Sequence, residues 1–255
     1  MRLSIVGAGN MGGAVARALA DGPYFNASDI TCTARTRETL LDLGRDFRTT
    51  TDNLQAVRAA DVVFFAVKPW LMESVIKEVA SELDPARQII VSVAAGVTFS
   101  QISEWLGVDD ATIFRVIPNT AIEVGSGVTF ISSVNASDEQ RKMILDAFTQ
   151  MGFALEVDES MMNAGTHLAS CGIAYAMKYI QAAVAGGEML GFDKEQAEKI
   201  VEYTVKGAAE LLLSTGNAPQ QEIDKVTTPG GMTQKGLAAM EEAGFSHAVL
   251  KSLQL

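Results

Sequence analysis

Three glycines near the start of the chain are spaced to hold phosphate groups. Gly7, Gly9 and Gly12 form the pattern G-x-G-x-x-G after an apolar run, Leu3–Val6, and before a helical pattern. Gly7 permits a tight turn, Gly9 lets the backbone approach a pyrophosphate, and Gly12 lets the helix pack close to the strand. The start of that helix then presents free N–H groups to the phosphates. The sequence therefore predicts a dinucleotide site. Its predicted contacts here are Gly7, Gly9, Asn10, Met11 and Gly12.

The end of the second predicted strand, Asp29–Thr33, should discriminate between the two nicotinamide cofactors. A site that prefers NAD has an acidic residue there, which binds the ribose 2′-hydroxyl. This chain instead has Thr33, Arg35 and Arg37, with no acidic residue before Glu38. Arginines and hydroxyls bind a 2′-phosphate through charge-assisted hydrogen bonds. We therefore expect NADPH to be preferred over NADH, although the same residues also fit a solvated basic turn.

The composition is that of a globular protein that does not bind nucleic acid. The 255 residues are 48% hydrophobic, and the formal net charge of -11 would repel a phosphate backbone. Cys32 and Cys171 have no zinc-site spacing, and with only 2 histidines we expect no metal site. Lys178 interrupts the longest apolar stretch, Ile173–Val184, and the first strand begins at Leu3. We therefore expect no transmembrane helix, no signal peptide and a cytoplasmic location.

Strands and helices are predicted to alternate through residues 1–158. Further apolar runs predict strands at Ala60–Val67, Gln88–Val93, Thr112–Ile117 and Phe153–Val157. Helix-start signals lie between them, such as Thr98 followed by Gln101 in a capping-box spacing. This alternation predicts an α/β fold, a Rossmann-type doubly wound and mainly parallel sheet. Because ligands bind beyond the carboxyl ends of such strands, the loops that follow them should line one cleft.

Residues 159–255 are predicted to be almost wholly helical. The helices expected are Met161–Leu190, Lys194–Ser214 and shorter ones after Pro219, Thr228 and Ser246. The stretch Leu168–Met177 is small or apolar on every face, which is typical of a buried helix. Because few residues remain to surround it, we infer that a second subunit covers it about a two-fold axis. The sequence thus predicts a dinucleotide-binding domain, 1–158, and a helical dimerisation and substrate-binding domain, 159–255.

A second glycine-rich stretch precedes a helix near the end of the chain. Its N–H groups at Gly230, Gly231 and Met232 are predicted to be exposed. Together with the hydroxyls of Thr228 and Thr233, they can hold a carboxylate without a fixed positive charge. An ordinary helix-start loop is the alternative explanation.

Five motifs follow one another along the chain: Gly7–Gly12, Ala66–Pro69, Ser92–Gly96, Arg115–Thr120 and Thr228–Gly231. In order and spacing they resemble those of the Δ1-pyrroline-5-carboxylate reductase family, and the resemblance covers nearly the whole chain. It implies NAD(P)H-dependent reduction of the cyclic imine 1-pyrroline-5-carboxylate to L-proline, the last step of proline biosynthesis. It also implies a Rossmann domain followed by a helical dimerisation domain, in homodimers that often assemble into larger rings.

The resemblance implies roles for individual residues by matching position. Asn53 reaches the adenosine side of NADP, and Ser92–Gly96 lies near the reactive end of the cofactor. The motif Thr228–Gly231 and Thr233 bind the substrate carboxylate. Thr233 is also the first candidate for orienting a proton, ahead of Ser170. The other cofactor contacts that the motifs imply are Ala66, Val67, Lys68, Pro69, Ala94, Gly96 and Asn119.

One segment departs from the family pattern. Where the family has Ser-Gly-Ser-Gly-Pro-Ala followed by an aromatic residue, this chain has Ala169–Tyr175, which lacks the proline and one serine. Without that proline the helix is expected to run straighter, which leaves the pocket shape and the substrate range open.

Two other functions remain open on the sequence. A β-hydroxyacid dehydrogenase-like oxidoreductase also pairs a glycine fingerprint with a helical domain. It needs a lysine four residues after a glycine, whereas Lys178 follows Gly172 by six positions. A catalytically silent NADP-binding regulatory protein is supported only by the altered run Ala169–Ile173.

Overall fold

The computed structural model describes residues 1–43 and 47–254. These residues form two compact units that meet in sequence between Ser170 and Cys171. The boundary predicted from the sequence, between residues 158 and 159, stays a prediction.

The first unit contains a sheet of eight strands in the order β3-β2-β1-β4-β5-β6-β7-β8. The strands are β1 (Leu3–Val6), β2 (Ile30–Thr33), β3 (Arg48–Thr50), β4 (Val62–Phe65), β5 (Ile89–Ser92), β6 (Ile113–Pro118), β7 (Gly127–Val134) and β8 (Gly152–Glu156). The first six are mutually parallel, β7 runs antiparallel to β6, and β8 is parallel to β7. The predicted α/β fold with a doubly wound, mainly parallel sheet is confirmed.

Seven α-helices connect or follow these strands. They are α1 (Asn10–Ala20), α2 (Arg37–Leu41), α3 (Asn53–Arg58), α4 (Met72–Val79), α5 (Phe99–Leu106), α6 (Asp138–Thr149) and α7 (Met162–Gly165). Short 3₁₀ turns occupy Ala27–Asp29, Pro69–Leu71, Ala80–Glu82, Thr120–Val124 and Glu159–Met161. The predicted capping box of Thr98 with Gln101 is present at the start of α5. The helix-start signature at Ser137 forms a second capping box, with Gln140, at the start of α6.

Two strands, β3 and β7, lack a counterpart in the sequence-based prediction. The three residues of β3 are polar and largely exposed, so no apolar run marks them. In β7 most apolar residues alternate with small or polar ones, and the strand follows a short 3₁₀ turn rather than a helical crossover. An antiparallel strand needs no crossover helix, so an alternation of strands and helices along the sequence does not reveal β7.

Alternate residues of the central strands point into two separate cores. On β4, Val62 and Phe64 join the core beneath α1 and α6, while Val63 and Phe65 join the core beneath α3, α4 and α5. All four side chains are completely buried. A strand that is apolar on both faces is what a sheet covered by helices on both sides requires. The two helix layers thereby hold the strands in place, and with them the loops that follow the carboxyl ends of the strands.

The second unit consists of helices alone within the described residues. They are α8 (Gly172–Met189), α9 (Lys194–Thr215), α10 (Pro219–Val226), α11 (Met232–Glu242) and α12 (Phe245–Ser252). The single helix predicted over Met161–Leu190 is wrong in detail, because a π-helical segment, Thr166–Cys171, separates α7 from α8. A π segment widens the turn by one residue. It overlaps the run that departs from the family motif.

The helical unit has almost no core of its own. On α8 only Val184 is buried, and on α9 only Ala197. Large apolar side chains lie open instead, among them Met189 at 90% and Leu213 at 85% exposure. Apolar surface of this extent requires cover from a further protein surface, which the sequence predicts to be a second subunit. No helix in the described part of the chain combines the length and apolarity that crossing a membrane requires.

The aromatic pair between α6 and β4 provides a test of the sheet core. Phe148 is completely buried and stacks on Phe64, with 6.2 Å between ring centroids. Phe148→Ala should lower the free energy of unfolding by about 3–5 kcal/mol, because the substitution leaves a large cavity. Urea unfolding followed by circular dichroism measures this loss. Phe153→Ala is the matched control, since Phe153 is 59% exposed and its truncation should change the stability by less than about 1 kcal/mol. Equal losses in the two variants would contradict the packing described.

Candidate functional site

The first predicted glycine forms a tight turn at the end of β1. Gly7 has a φ of +98°, and a Cβ atom there would lie 2.7 Å from a methyl carbon of Val67. Both the backbone conformation and the close approach of the loop after β4 therefore require glycine. The N–H groups of Gly7 and Ala8 donate to the carbonyl oxygen of Thr33 at 3.1 and 2.6 Å. These bonds fasten the turn to the end of β2.

The other two glycines of the fingerprint have different surroundings. A Cβ on Gly12 would lie 2.3 Å from the carbonyl oxygen of Gly7 and 3.0 Å from the Cβ of Ala66. A Cβ on Gly9 would meet nothing within 4 Å, and its φ of -75° suits any residue. Gly12 is thus required by the packing of the protein itself. Gly9 leaves open space in front of the backbone.

The start of α1 offers hydrogen-bond donors to that space. No side chain caps the helix, and no acidic residue lies in its first turn. Within the described chain, the backbone N–H groups of Asn10, Met11 and Gly12 have no acceptor. Three free donors and the positive end of the helix dipole suit an anion, and the binding of a dinucleotide here stays a prediction.

The end of β2 is joined to α3 by side-chain hydrogen bonds. Thr33 is only 1% exposed. Its hydroxyl accepts from the N–H of Gly7 at 3.3 Å and donates to the side-chain oxygen of Asn53 at 2.7 Å. The amide nitrogen of Asn53 in turn donates to the Glu78 carboxylate at 3.2 Å. Glu78 is not predictable from the sequence, because 25 positions separate it from Asn53 and no motif includes it.

The two arginines after β2 are free to meet a ligand. Arg35 and Arg37 are exposed, and neither forms an ion pair with another described residue. Between them, Thr36 caps α2 by accepting from the N–H of Thr39. The two positive charges therefore flank a short helix start next to Thr33.

The loop after β4 forms one wall of the fingerprint turn. Ala66 is held by its N–H, which donates to the carbonyl oxygen of Val6 at 2.8 Å. Lys68 is exposed, and Pro69 occupies the first position of the 3₁₀ turn Pro69–Leu71. Pro69 thus begins a helical turn directly after this loop.

The loops after β5 and β6 are tied down by their own side chains. The buried hydroxyl of Ser92 accepts from the N–H of Ala94 at 3.2 Å, while Gly96, with a φ of +78°, is exposed. The buried Asn119 side-chain oxygen accepts from the N–H groups of Ala121 and Val128, both at 3.2 Å. Ala94 and Asn119 thus shape the loops at this edge through internal contacts. Their contact with a cofactor remains a prediction.

Contacts bring the ends of three strands together. The loop after β1 touches those after β2 and β4, and the residues at the ends of β5 and β6 lie at the same edge because these strands are parallel. Ser170 reaches this edge too, since its hydroxyl donates to the Pro118 carbonyl oxygen at 3.4 Å.

The second glycine-rich stretch, in the helical unit, forms the start of α11. Gly231 is the N-cap residue, and a Cβ on it would lie 2.4 Å from the Thr228 hydroxyl oxygen. The N–H of Gly230 donates to the Gln234 side chain at 2.6 Å, and that of Gly231 to the Thr228 carbonyl at 2.9 Å. Contrary to the expectation that both N–H groups are available, these two donors are already used.

Other donors remain at this helix start. Among the described residues, the N–H groups of Met232 and Thr233 have no acceptor, and both residues are exposed. The hydroxyls of Thr228 and Thr233 form no side-chain hydrogen bond with another described residue. A carboxylate can therefore bind here to helix N–H groups and hydroxyls, while the glycines supply the shape of the turn.

Within residues 1–43 and 47–254, no three His, Cys, Asp or Glu side chains cluster as a metal site requires. Burial beneath the sheet edge raises the pKa of Cys32 to about 12. The group therefore stays a neutral thiol and packs as an apolar side chain.

Two family profiles match the chain. Residues 2–96 match the family described as NADP oxidoreductase coenzyme F420-dependent. Residues 159–254 match the one described as Pyrroline-5-carboxylate reductase dimerisation.

Similarity to known proteins extends over the whole chain. Pyrroline-5-carboxylate reductase of Methanosarcina acetivorans is 32% identical over 99% of this chain and 94% of its own length. The chain belongs to the pyrroline-5-carboxylate reductase family. Pyrroline-5-carboxylate reductase 1 of Dictyostelium discoideum is 34% identical, and the chain spans 48% of that longer protein.

The family fold is matched as well. The crystal structure of Plasmodium falciparum pyrroline carboxylate reductase, which has NADP bound, covers 100% of this chain and 94% of its own, with a TM-score of 0.91 and 25% identity.

The unequal surroundings of Gly9 and Gly12 predict different effects of the same substitution. Gly9→Ala should leave the melting temperature unchanged but weaken NADPH binding about tenfold, because the new methyl group occupies only the open space. Gly12→Ala should lower both the melting temperature and the affinity, because its methyl group would meet the Gly7 carbonyl. Thermal unfolding and titration of NADPH fluorescence measure the two effects. Unaltered NADPH affinity in Gly9→Ala would contradict the assignment of that space to the cofactor.

Proposed function

We propose that the chain is an NADPH-dependent reductase of the cyclic imine 1-pyrroline-5-carboxylate and that its product is L-proline. The observation that carries this proposal is the pair of helix starts, at α1 and α11, whose backbone N–H groups have no acceptor among the described residues. The start of α1 follows the dinucleotide fingerprint, and the start of α11 follows the family motif Thr228–Gly231. The first suits a pyrophosphate and the second a carboxylate.

The residues at the sheet edge fit a dinucleotide. The space in front of Gly9 and the three N–H groups of α1 would hold the pyrophosphate, and Lys68 would add a positive charge nearby. Asn53 would contact the adenosine half, and Ser92–Gly96 would border the reactive end. When bound, NADPH supplies the hydride that reduces the imine carbon.

The start of α11 would bind the carboxylate of the substrate. Met232 and Thr233 each offer an N–H group, and Thr228 and Thr233 each offer a hydroxyl. A protonated imine is already an activated electrophile, so the residues need mainly to fix its position and exclude water. This explains why catalysis can proceed without a strong acid–base pair. The Thr233 hydroxyl would also orient a proton near the reacting nitrogen.

We further propose a homodimer built through the helical unit, with assembly of dimers into a larger ring. The open apolar side chains of α8 and α9 support the dimer. The ring rests on the family resemblance alone. A cytoplasmic location is part of the same proposal.

Substitution of Thr233 tests the carboxylate site. Thr233→Val removes the hydroxyl at nearly constant volume, and kcat/KM for pyrroline-5-carboxylate should fall about tenfold, since a hydrogen bond to a charged group is lost. Thr233→Ser should restore most of the activity. The matched control is Thr204→Val on α9, whose hydroxyl only bonds to the Ile200 carbonyl of its own helix. Unchanged turnover and substrate affinity in Thr233→Val would remove Thr233 from the site.

Substitution of the arginines tests the cofactor preference. Replacing both Arg35 and Arg37 by Ala should raise the Kd for NADPH about tenfold or more and leave that for NADH nearly unchanged, because only NADPH has the 2′-phosphate. Fluorescence titration with both cofactors measures the ratio. Arg58→Ala serves as the control. Arg58 lies at the end of α3 opposite to Asn53, and it pairs with Glu82. An equal loss of affinity for both cofactors would contradict the proposed preference.

Assay of the purified protein decides between the proposed reaction and the two alternatives. NADPH oxidation with pyrroline-5-carboxylate should be rapid and yield proline. Activity only on a 3-hydroxyacid with NADP would establish the dehydrogenase alternative. Cofactor binding without any turnover would establish the silent regulatory protein, with the altered run Ala169–Ile173 as the first place to look.

A further inference from the structure

A chain of hydrogen bonds extends from the fingerprint turn to α4. The Gly7 N–H donates to the Thr33 hydroxyl, this hydroxyl donates to the Asn53 oxygen, and the Asn53 nitrogen donates to the two Glu78 oxygens at 3.2 and 3.5 Å. These hydrogen bonds connect β1, β2, α3 and α4. No sequence motif includes its last member, Glu78.

The direction of these bonds fixes the side-chain amide of Asn53. A hydroxyl has one proton, and that of Thr33 is directed to Asn53 while its oxygen accepts from Gly7. An ionised carboxylate only accepts hydrogen bonds, so Asn53 turns its NH₂ group towards Glu78 and its oxygen towards the Thr33 hydroxyl.

This arrangement links a carboxylate, through Asn53, to the strand end that discriminates the cofactors. Thr33 ends β2, where a site selective for NAD has its acidic residue. In this chain the loop after β2 has two exposed arginines instead, and the acidic group comes from α4, one hydrogen-bonded residue away from Thr33. Glu78 is itself exposed, and no lysine or arginine among the described residues pairs with it.

We propose that Glu78 is a specificity-determining residue for the adenosine half of the cofactor, where its negative charge opposes a 2′-phosphate and so limits the preference for NADPH that Arg35 and Arg37 create. This rests on the proposed function, since it requires a dinucleotide at the sheet edge. A carboxylate tolerates a ribose 2′-hydroxyl, which can donate to it, but it repels the two charges of a phosphate. The chain would therefore accept both cofactors, with a ratio set by opposing charges.

Binding of cofactor fragments tests this proposal apart from catalysis. Adenosine 2′,5′-bisphosphate and adenosine 5′-monophosphate differ only in the 2′-phosphate. Calorimetric titration of the full-length protein with each gives their affinity ratio. Glu78→Gln retains an acceptor for Asn53 and removes only the charge. We expect it to shift the ratio about threefold in favour of the bisphosphate, because exposed charges interact only weakly through solvent. The shift should shrink at 0.5 M salt.

Two further variants separate charge from orientation. Glu73→Gln is the matched control, since Glu73 is an exposed member of the same helix that pairs with Lys77, and it should leave the ratio unchanged. Glu78→Ala should weaken both fragments, because Asn53 loses its partner, and also shift their ratio. A wild-type ratio in Glu78→Gln would overturn the proposal and leave Glu78 a purely structural residue. If neither fragment nor NADPH binds the wild-type protein, the proposed function itself fails.

Discussion

The close approach of α1 to the turn after β1 is the constraint on which the sheet edge depends. A single carbon atom added at Gly12 would lie 2.3 Å from the Gly7 carbonyl oxygen, so the helix can rest here only without a side chain. The same contact brings Ala66 of the neighbouring loop against Gly12. As a result the free N–H groups of α1 face the open space at Gly9. The contact thus sets both the position of the donors and the room available to a ligand.

Residues near one another in sequence were the predictable part of this edge. The glycine fingerprint, the caps at Thr98 and Ser137, and Pro69 each depend on neighbours within a few positions. Their spacing therefore carries the information directly. The same holds for the apolar strands, whose burial on both faces follows from a continuous apolar run.

Features that depend on distant contacts were not predictable. The strand β3 is polar and exists through its pairing with β2. Availability of the Gly230 N–H depends on a side chain one helical turn away, that of Gln234. The link from Asn53 to Glu78 requires that α3 and α4 pack side by side on the sheet. No local sequence pattern encodes such contacts, because tertiary packing determines which residues come together.

The nearly coreless helical unit has a consequence for how the protein behaves on dilution. Helices whose apolar faces are covered by another chain gain their stability from association, so the folded fraction follows mass action. The sheet unit has two cores of its own and does not share this dependence. Dilution of the protein would then lower its specific activity while the sheet unit stays folded. The fraction of active enzyme would therefore depend on the protein concentration.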